Sequence, residues 1–166
     1  PNAAAYEQEG ATTINDASTA VGDTVVVTAS GAALNVGDII SFSTTAATND
    51  YDDGEQYRVT NISTNDVTIV QHPRGTGGLK RALTDGSNIR RRWKYYDAVD
   101  GAPGTSTYVS ERNGANDEIH VVVIDEDGGI SGVPGTILET FSKLSKASDA
   151  KDPQGNDNYY PNVIYT

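Results

Sequence analysis

Apolar positions in this chain come in short runs of valine, isoleucine, threonine and tyrosine bounded by glycine, asparagine and aspartate. The runs recur at roughly ten-residue intervals, the rhythm of short strands joined by tight turns. The pattern predicts strands over residues 24–28, 39–43, 56–61, 67–71, 79–83, 91–96 and 119–125. Gly22-Asp23, Gly37-Asp38, Asp53-Gly54 and Thr64-Asn65-Asp66 supply turn residues between them. Strands 56–61 and 67–71 read as a hairpin. After a short N-terminal segment, 1–11, residues 12–86 therefore read as a small β-barrel or sandwich. Gly75-Thr76-Gly77-Gly78 and Asp85-Gly86-Ser87-Asn88 mark flexible joints, and a domain boundary is expected near residue 86. In the second region, 87–166, the run Ile119-His120-Val121-Val122-Val123-Ile124 is apolar on both faces, as suits a central strand covered on both sides. Residues 137–144 fit helical spacing through Ile137, Leu138, Phe141 and Leu144, but the flanking glycine and prolines favour a returning strand. The expected fold class is mainly β (α+β). With one clear central strand, the second region is too thin for its own core and is expected to continue beyond this chain.

Composition narrows the classes. The 166 residues include neither cysteine nor methionine, so disulfides, zinc–thiolate sites, iron–sulfur clusters and a cysteine nucleophile are excluded. No apolar run approaches the ~20 residues of a membrane-spanning helix, and no membrane insertion is expected. Residues 1–9 lack the basic and apolar parts of a signal peptide and carry no initiator methionine, which reads as a processed end or a fragment boundary. Acidic residues number 23 against 12 basic ones, for a net charge of -11. The stretch from Arg74 to Lys94 holds seven bases and one acid, so it carries +6 and leaves -17 for the remainder of that total. A basic band on an acidic molecule can bind copies of itself, or it can be a solvated strand face.

Reactive chemistry finds little support. His72 ends a strand beside Pro73 and His120 opens an apolar strand, so both read as structural. The acidic runs 50–55 and 125–128 break the calcium-loop pattern, since position five counted from Asp125 is Gly129. The segment Gly75-Thr76-Gly77-Gly78 with Lys80 lacks the ending of a phosphate-binding loop. The arginine triplet with Trp93, Tyr95 and Tyr96 imitates a nucleic-acid surface, but the surrounding negative charge opposes polyanion binding. Strand alternation puts Arg90, Arg92 and Lys94 on one face and Arg91, Trp93 and Tyr95 on the other. No catalytic, cofactor-binding or metal-binding residues, no cofactor and no nucleic-acid partner are predicted. The protein is not expected to be an enzyme.

From Trp93 the chain reads Trp93-Lys94-Tyr95-Tyr96-Asp97, Ala102-Pro103-Gly104-Thr105-Ser106, and Asn116-Asp117-Glu118-Ile119-His120 through Asp125-Glu126-Asp127-Gly128. It continues with Val133-Pro134-Gly135-Thr136-Ile137-Leu138-Glu139, Leu144-Ser145-Lys146, Asp149-Ala150-Lys151 and Asn158-Tyr159-Tyr160-Pro161. These ordered blocks, over residues 90–164, resemble contractile bacteriophage tail sheath proteins. The resemblance implies a structural protein of the virion tail, assembled in the host cytoplasm. Its copies stack as hexameric rings around an inner tail tube and shorten together to drive that tube through the host envelope. It also implies that residues 12–86 form an inserted, protruding β domain and residues 87–166 part of an α/β core. The implied partners are other copies of the subunit and, through regions outside this chain, the tube. Arg90, Arg91, Arg92 and Lys94 are candidates for contacts between subunits or domains. The alternative class is a carbohydrate-binding or adhesin β module, in which Tyr51, Tyr57 and Tyr108 would stack on sugars.

Overall fold

A computed structural model describes residues 3–165. The elements are mainly β. In chain order the strands are β1 (Glu7–Thr13), β2 (Val25–Val27), β3 (Ile39–Ala46), β4 (Gln56–Ser63), β5 (Asp66–His72), β6 (Ser87–Arg92), β7 (Glu118–Asp125) and β8 (Thr136–Ser145). The described helices are short, at Ala3–Tyr6, Thr107–Ser110 and Tyr160–Ile164. Two compact units result, one running from Glu7 to Lys94 and the other made of the residues on either side of it.

The Glu7–Lys94 unit is one antiparallel sheet in the order β1-β6-β3-β4-β5-β2. The β4–β5 hairpin forms as its pattern predicts, with Val59 opposite Ile69 and Tyr57 opposite Gln71. Its turn works because Thr64 adopts φ 58° and the Asn65 side chain accepts the Gly31 N–H (3.1 Å). Gly31 has to be glycine, since a Cβ there would lie 2.0 Å from the Thr64 carbonyl oxygen. Alternate residues Ile40 and Phe42 of β3 meet Tyr57, Val59, Val67, Ile69 and Ile89 in one apolar core, where the Phe42 and Tyr57 rings lie 5.5 Å apart. The two edge strands touch at one corner. There Ile14 bridges Thr28, and Asn15 and Ala29 donate to Val27 and Thr13 (2.9 Å each). The ladder goes no further and no barrel is closed, so the barrel alternative falls and an antiparallel, mainly β unit stands.

Several expected elements shift. Residues 79–83 are irregular: Leu79 and Leu83 plug the core, while the backbone is held by Leu79 N–H to the Asp23 carbonyl (2.8 Å) and Leu83 N–H to the Thr19 hydroxyl (2.7 Å). Their alternation reflects plugging instead of pairing. The strand expected at 91–96 begins earlier, at Ser87, because Ile89 enters the core and pairs with Phe42 of β3 and Thr12 of β1. The compact unit accordingly runs through to Lys94, past the joint read near residue 86. Strand β1, which starts inside the segment read as 1–11 and runs past it to Thr13, has the polar sequence EQEGATT and gave no apolar signal.

In the other unit, β7 and β8 form a two-stranded antiparallel ladder. Val121 faces Phe141, Ile119 faces Leu144 and Ile124 faces Ile137. Residues 137–144 are therefore strand, not helix. Strand β7 is not the doubly covered central strand expected from its composition. Among the described residues it has one strand neighbour, and Val123 and Ile137 are 36% and 40% exposed. Among the described residues of this unit, no helix exceeds five residues.

Candidate functional site

The basic strand β6 lies between β1 and β3, and alternation divides its side chains as expected. Ile89 points into the core, while Arg90 and Arg92 share the outer face, where both reach the Asp53 carboxylate. Arg92 Nη1 lies 3.2 Å from Asp53 Oδ1, and its Nε pairs with Glu7. Arg90 is buried, with its guanidinium 4.6 Å from the centre of the Tyr51 ring. Burial pushes the Tyr51 hydroxyl above its usual pKa, opposed by the N–H that Gly10 donates to it (2.9 Å). Arg91, on the opposite face, lies 3.5 Å from Asp38, a buried carboxylate that also accepts the Asn35 N–H (2.8 Å). Lys94 is exposed and packs along Gly37, where a Cβ would come within 2.9 Å of its Cδ.

Three of the four predicted contact residues are thus neutralised inside their own unit. Their partners Glu7, Asp38 and Asp53 carried a weak signal: Gly37-Asp38 and Asp53-Gly54 stand out in the sequence, but as turns. The segment 47–55 brings Asp53 to the outer face of β6, with Ser43 bridging Tyr51 and Asn88 donating to the Thr48 carbonyl (2.9 Å).

The sheath-like blocks fall into two hydrogen-bonded knots. In the first, Asp117 accepts the Ser106 N–H and hydroxyl (2.8 Å each) and the Ser145 hydroxyl. Burial raises the Asp117 carboxyl, but these donors more than offset it and hold the pKa below the ordinary value. Gly104, just after the buried Pro103, donates its N–H to Glu118 (2.8 Å), and Asn116 donates its own to Thr105 (2.8 Å). In the second knot, Asp125 accepts N–H groups from Ile130 (3.0 Å) and Ser131 (2.6 Å) and the Ser131 hydroxyl (2.7 Å). The Ser131 donors are the main reason its pKa falls to about 2. Asp127 turns the chain by accepting the Gly129 N–H (3.0 Å). Gly128, at φ 79°, lets Pro134 pack where a Cβ would be 2.8 Å away, and Gly135 donates to the Asp125 carbonyl (2.7 Å).

Other members of the blocks also hold backbone or one another. Lys143 donates its N–H to His120 Nδ1 (3.0 Å), which leaves Nε2 to carry the ring proton and donate to the Gly101 carbonyl (2.9 Å). Tyr108 donates to Asp149 (3.2 Å), and the Tyr159 and Tyr160 rings meet edge to face at 5.4 Å. Glu139 is exposed opposite Val123. Carboxylates that accept serine hydroxyls and backbone amides in this way fix the backbone around them. The tyrosines considered for sugar stacking are engaged: Tyr57 lies in the core, Arg90 sits over Tyr51, and Arg112 lies 3.6 Å from the Tyr108 ring centre. Among the described residues, no group of three or more histidine, aspartate or glutamate side chains is arranged to hold a metal ion. No protein-family model, no curated protein and no solved structure matches the chain.

Proposed function

We propose that this chain is a structural subunit, or part of one, of a contractile bacteriophage tail sheath. It polymerises as stacked hexameric rings around the inner tube, and contraction of the array drives that tube into the host. The observation that carries the reading is the β7–β8 ladder. Both of its faces carry apolar side chains along Val121–Phe141 and Ile124–Ile137, yet among the described residues it has one pair of strands. An isolated two-stranded sheet is marginal in water, and an apolar face of this kind calls for cover from further strands or helices. The remainder of an α/β core and adjoining copies in an array would supply it. The two knots around Asp117 and Asp125 support the same reading, because they brace the sheath-like blocks as a mechanical part requires. The Glu7–Lys94 unit, an open antiparallel sandwich in this reading, is the protruding domain. Its arginines Arg90, Arg91 and Arg92 stiffen it from within, which suits a unit that must rearrange without unfolding. Electron microscopy of the complete gene product tests the proposal. Long hollow cylinders support it, and monodisperse monomers under assembly-promoting conditions overturn it.

A further inference from the structure

We infer that the Glu7–Lys94 unit contacts a second copy through the corner formed by Arg58 and Arg74, and that this corner receives the acidic loop around Glu126 of that copy. The inference rests on reading the chain as self-associating and names the surfaces involved. It begins with the fate of the basic residues. Arg81, Arg90, Arg91 and Arg92 all have carboxylate partners within the unit, so the arginine-rich strand has little charge left to offer a neighbour. Arg58 and Arg74 are exposed, and neither makes an ion pair or side-chain hydrogen bond among the described residues. They lie together: the register Arg92–Ile39–Arg58–Val70 puts Arg58 on the outer face, and its Nη2 is 3.6 Å from where a Cβ on Gly75 would sit, next to Arg74. Exposed Pro73 and half-buried Val70 give the corner an apolar component.

The same search among the acids of residues 95–165 leaves four with no side-chain partner: Asp97, Asp100, Glu126 and Glu139. Glu126 stands out for its setting. It shares the β7–β8 loop with Ile130 and Val133, which are 80% and 63% exposed. That loop is locked from below by Asp125 and by the Gly128–Pro134 contact, so little order is lost when it docks. A preorganised loop offering a carboxylate and two aliphatic side chains matches a corner offering two guanidiniums, a proline and a valine. Because the two surfaces differ, the contact is head-to-tail, the type that propagates into rings or helices. Each copy is net negative, but at about 0.1 M salt the Debye length of ~10 Å screens that repulsion while a contact ion pair survives.

Sedimentation of the full chain at about this ionic strength tests the contact, using Arg58→Glu with Arg74→Glu, Glu126→Lys, and all three together. Glu126 holds nothing in the loop, and the arginines are exposed, so unchanged circular dichroism and melting verify that each variant folds. The expected result is that each reversal weakens self-association roughly tenfold, equivalent to ~1.4 kcal/mol, and that the combined variant recovers much of the loss. A chain that stays monomeric at every concentration, reversals without effect, or a combination no better than its parts would overturn the inference. Cylinders formed by Arg58→Glu/Arg74→Glu protein would reject this contact and leave the sheath reading standing. Charge-swap rescue in a protein that never forms cylinders would do the reverse.

Discussion

Asp38 and Asp53 both neutralise arginines of β6, but burial makes their contributions unequal. The Asp53 side chain is 63% exposed, and ion pairs in such settings contribute about 1 kcal/mol or less. Asp38 is 5% exposed and faces Arg91 at 3.5 Å, so removing it withdraws the carboxylate from beside a guanidinium already taken out of water. Asp38→Ala should therefore destabilise the Glu7–Lys94 unit by about 3 kcal/mol, and Asp53→Ala by about a third of that or less, in urea denaturation. Equal losses would show that the buried pair is not special. Asp125 gives a prediction in pH. Its folded pKa of about 2 lies below the ordinary aspartate value of 3.8, so the unfolded state binds the extra proton first as pH falls. The stabilisation is full above the unfolded value and is lost as pH falls toward 2. Asp125→Asn should flatten acid sensitivity of the β7–β8 loop in that window, read from the Ile130 and Ser131 amide resonances.

At the scale of elements, β6 and β7 are both strand-rich in composition but differ in cover. β6 is hydrogen-bonded on both sides by β1 and β3, whereas among the described residues β7 pairs with β8 alone. Amide hydrogens in a strand exchange according to the local opening free energy, which is set by such cover. Hydrogen exchange should protect Ile89, Ile40 and Phe42 for far longer than Val122 and Val123 in the isolated chain. Equal protection would mean that the ladder is covered already. The same contrast explains what could be read in advance. The hairpin of β4 and β5 was legible because Val59, Val67 and Ile69 alternate around the Thr64-Asn65 turn, making period and turn chemistry agree. Strand β1 was invisible because an edge strand contributes pairing more than burial, and Thr12 is its one buried side chain. Residues 79–83 misled because a loop that plugs a core with Leu79 and Leu83 mimics alternation. The charge of the arginine strand was legible as well. Its neutralisation was not, because Glu7, Asp38 and Asp53 come from distant parts of the chain and only the fold brings them to β6.

At the scale of the whole molecule, cohesion is unevenly shared. Every member of the main apolar cluster, from Ile14 to Ile89, belongs to the Glu7–Lys94 unit, as do the ion pairs of Arg81, Arg90, Arg91 and Arg92. Among the described residues outside it, the buried apolar side chains are Val99, Pro103, Leu144 and Ala150, and the two hydrogen-bonded knots do most of the ordering. Polar knots without a large apolar core contribute little net stability, since each hydrogen bond adds about 1 kcal/mol after water is displaced. Residues 7–94 expressed alone should fold and unfold in one cooperative transition, with a midpoint within a few degrees of the main transition of the whole chain. Residues 95–166 expressed alone should show weak chemical-shift dispersion and bind a dye that reports exposed apolar surface. If residues 7–94 instead lost their cooperative transition, the core assigned to Ile14 through Ile89 would not be self-sufficient. The unit proposed as the protruding domain could then not serve as the rigid body that the sheath proposal requires.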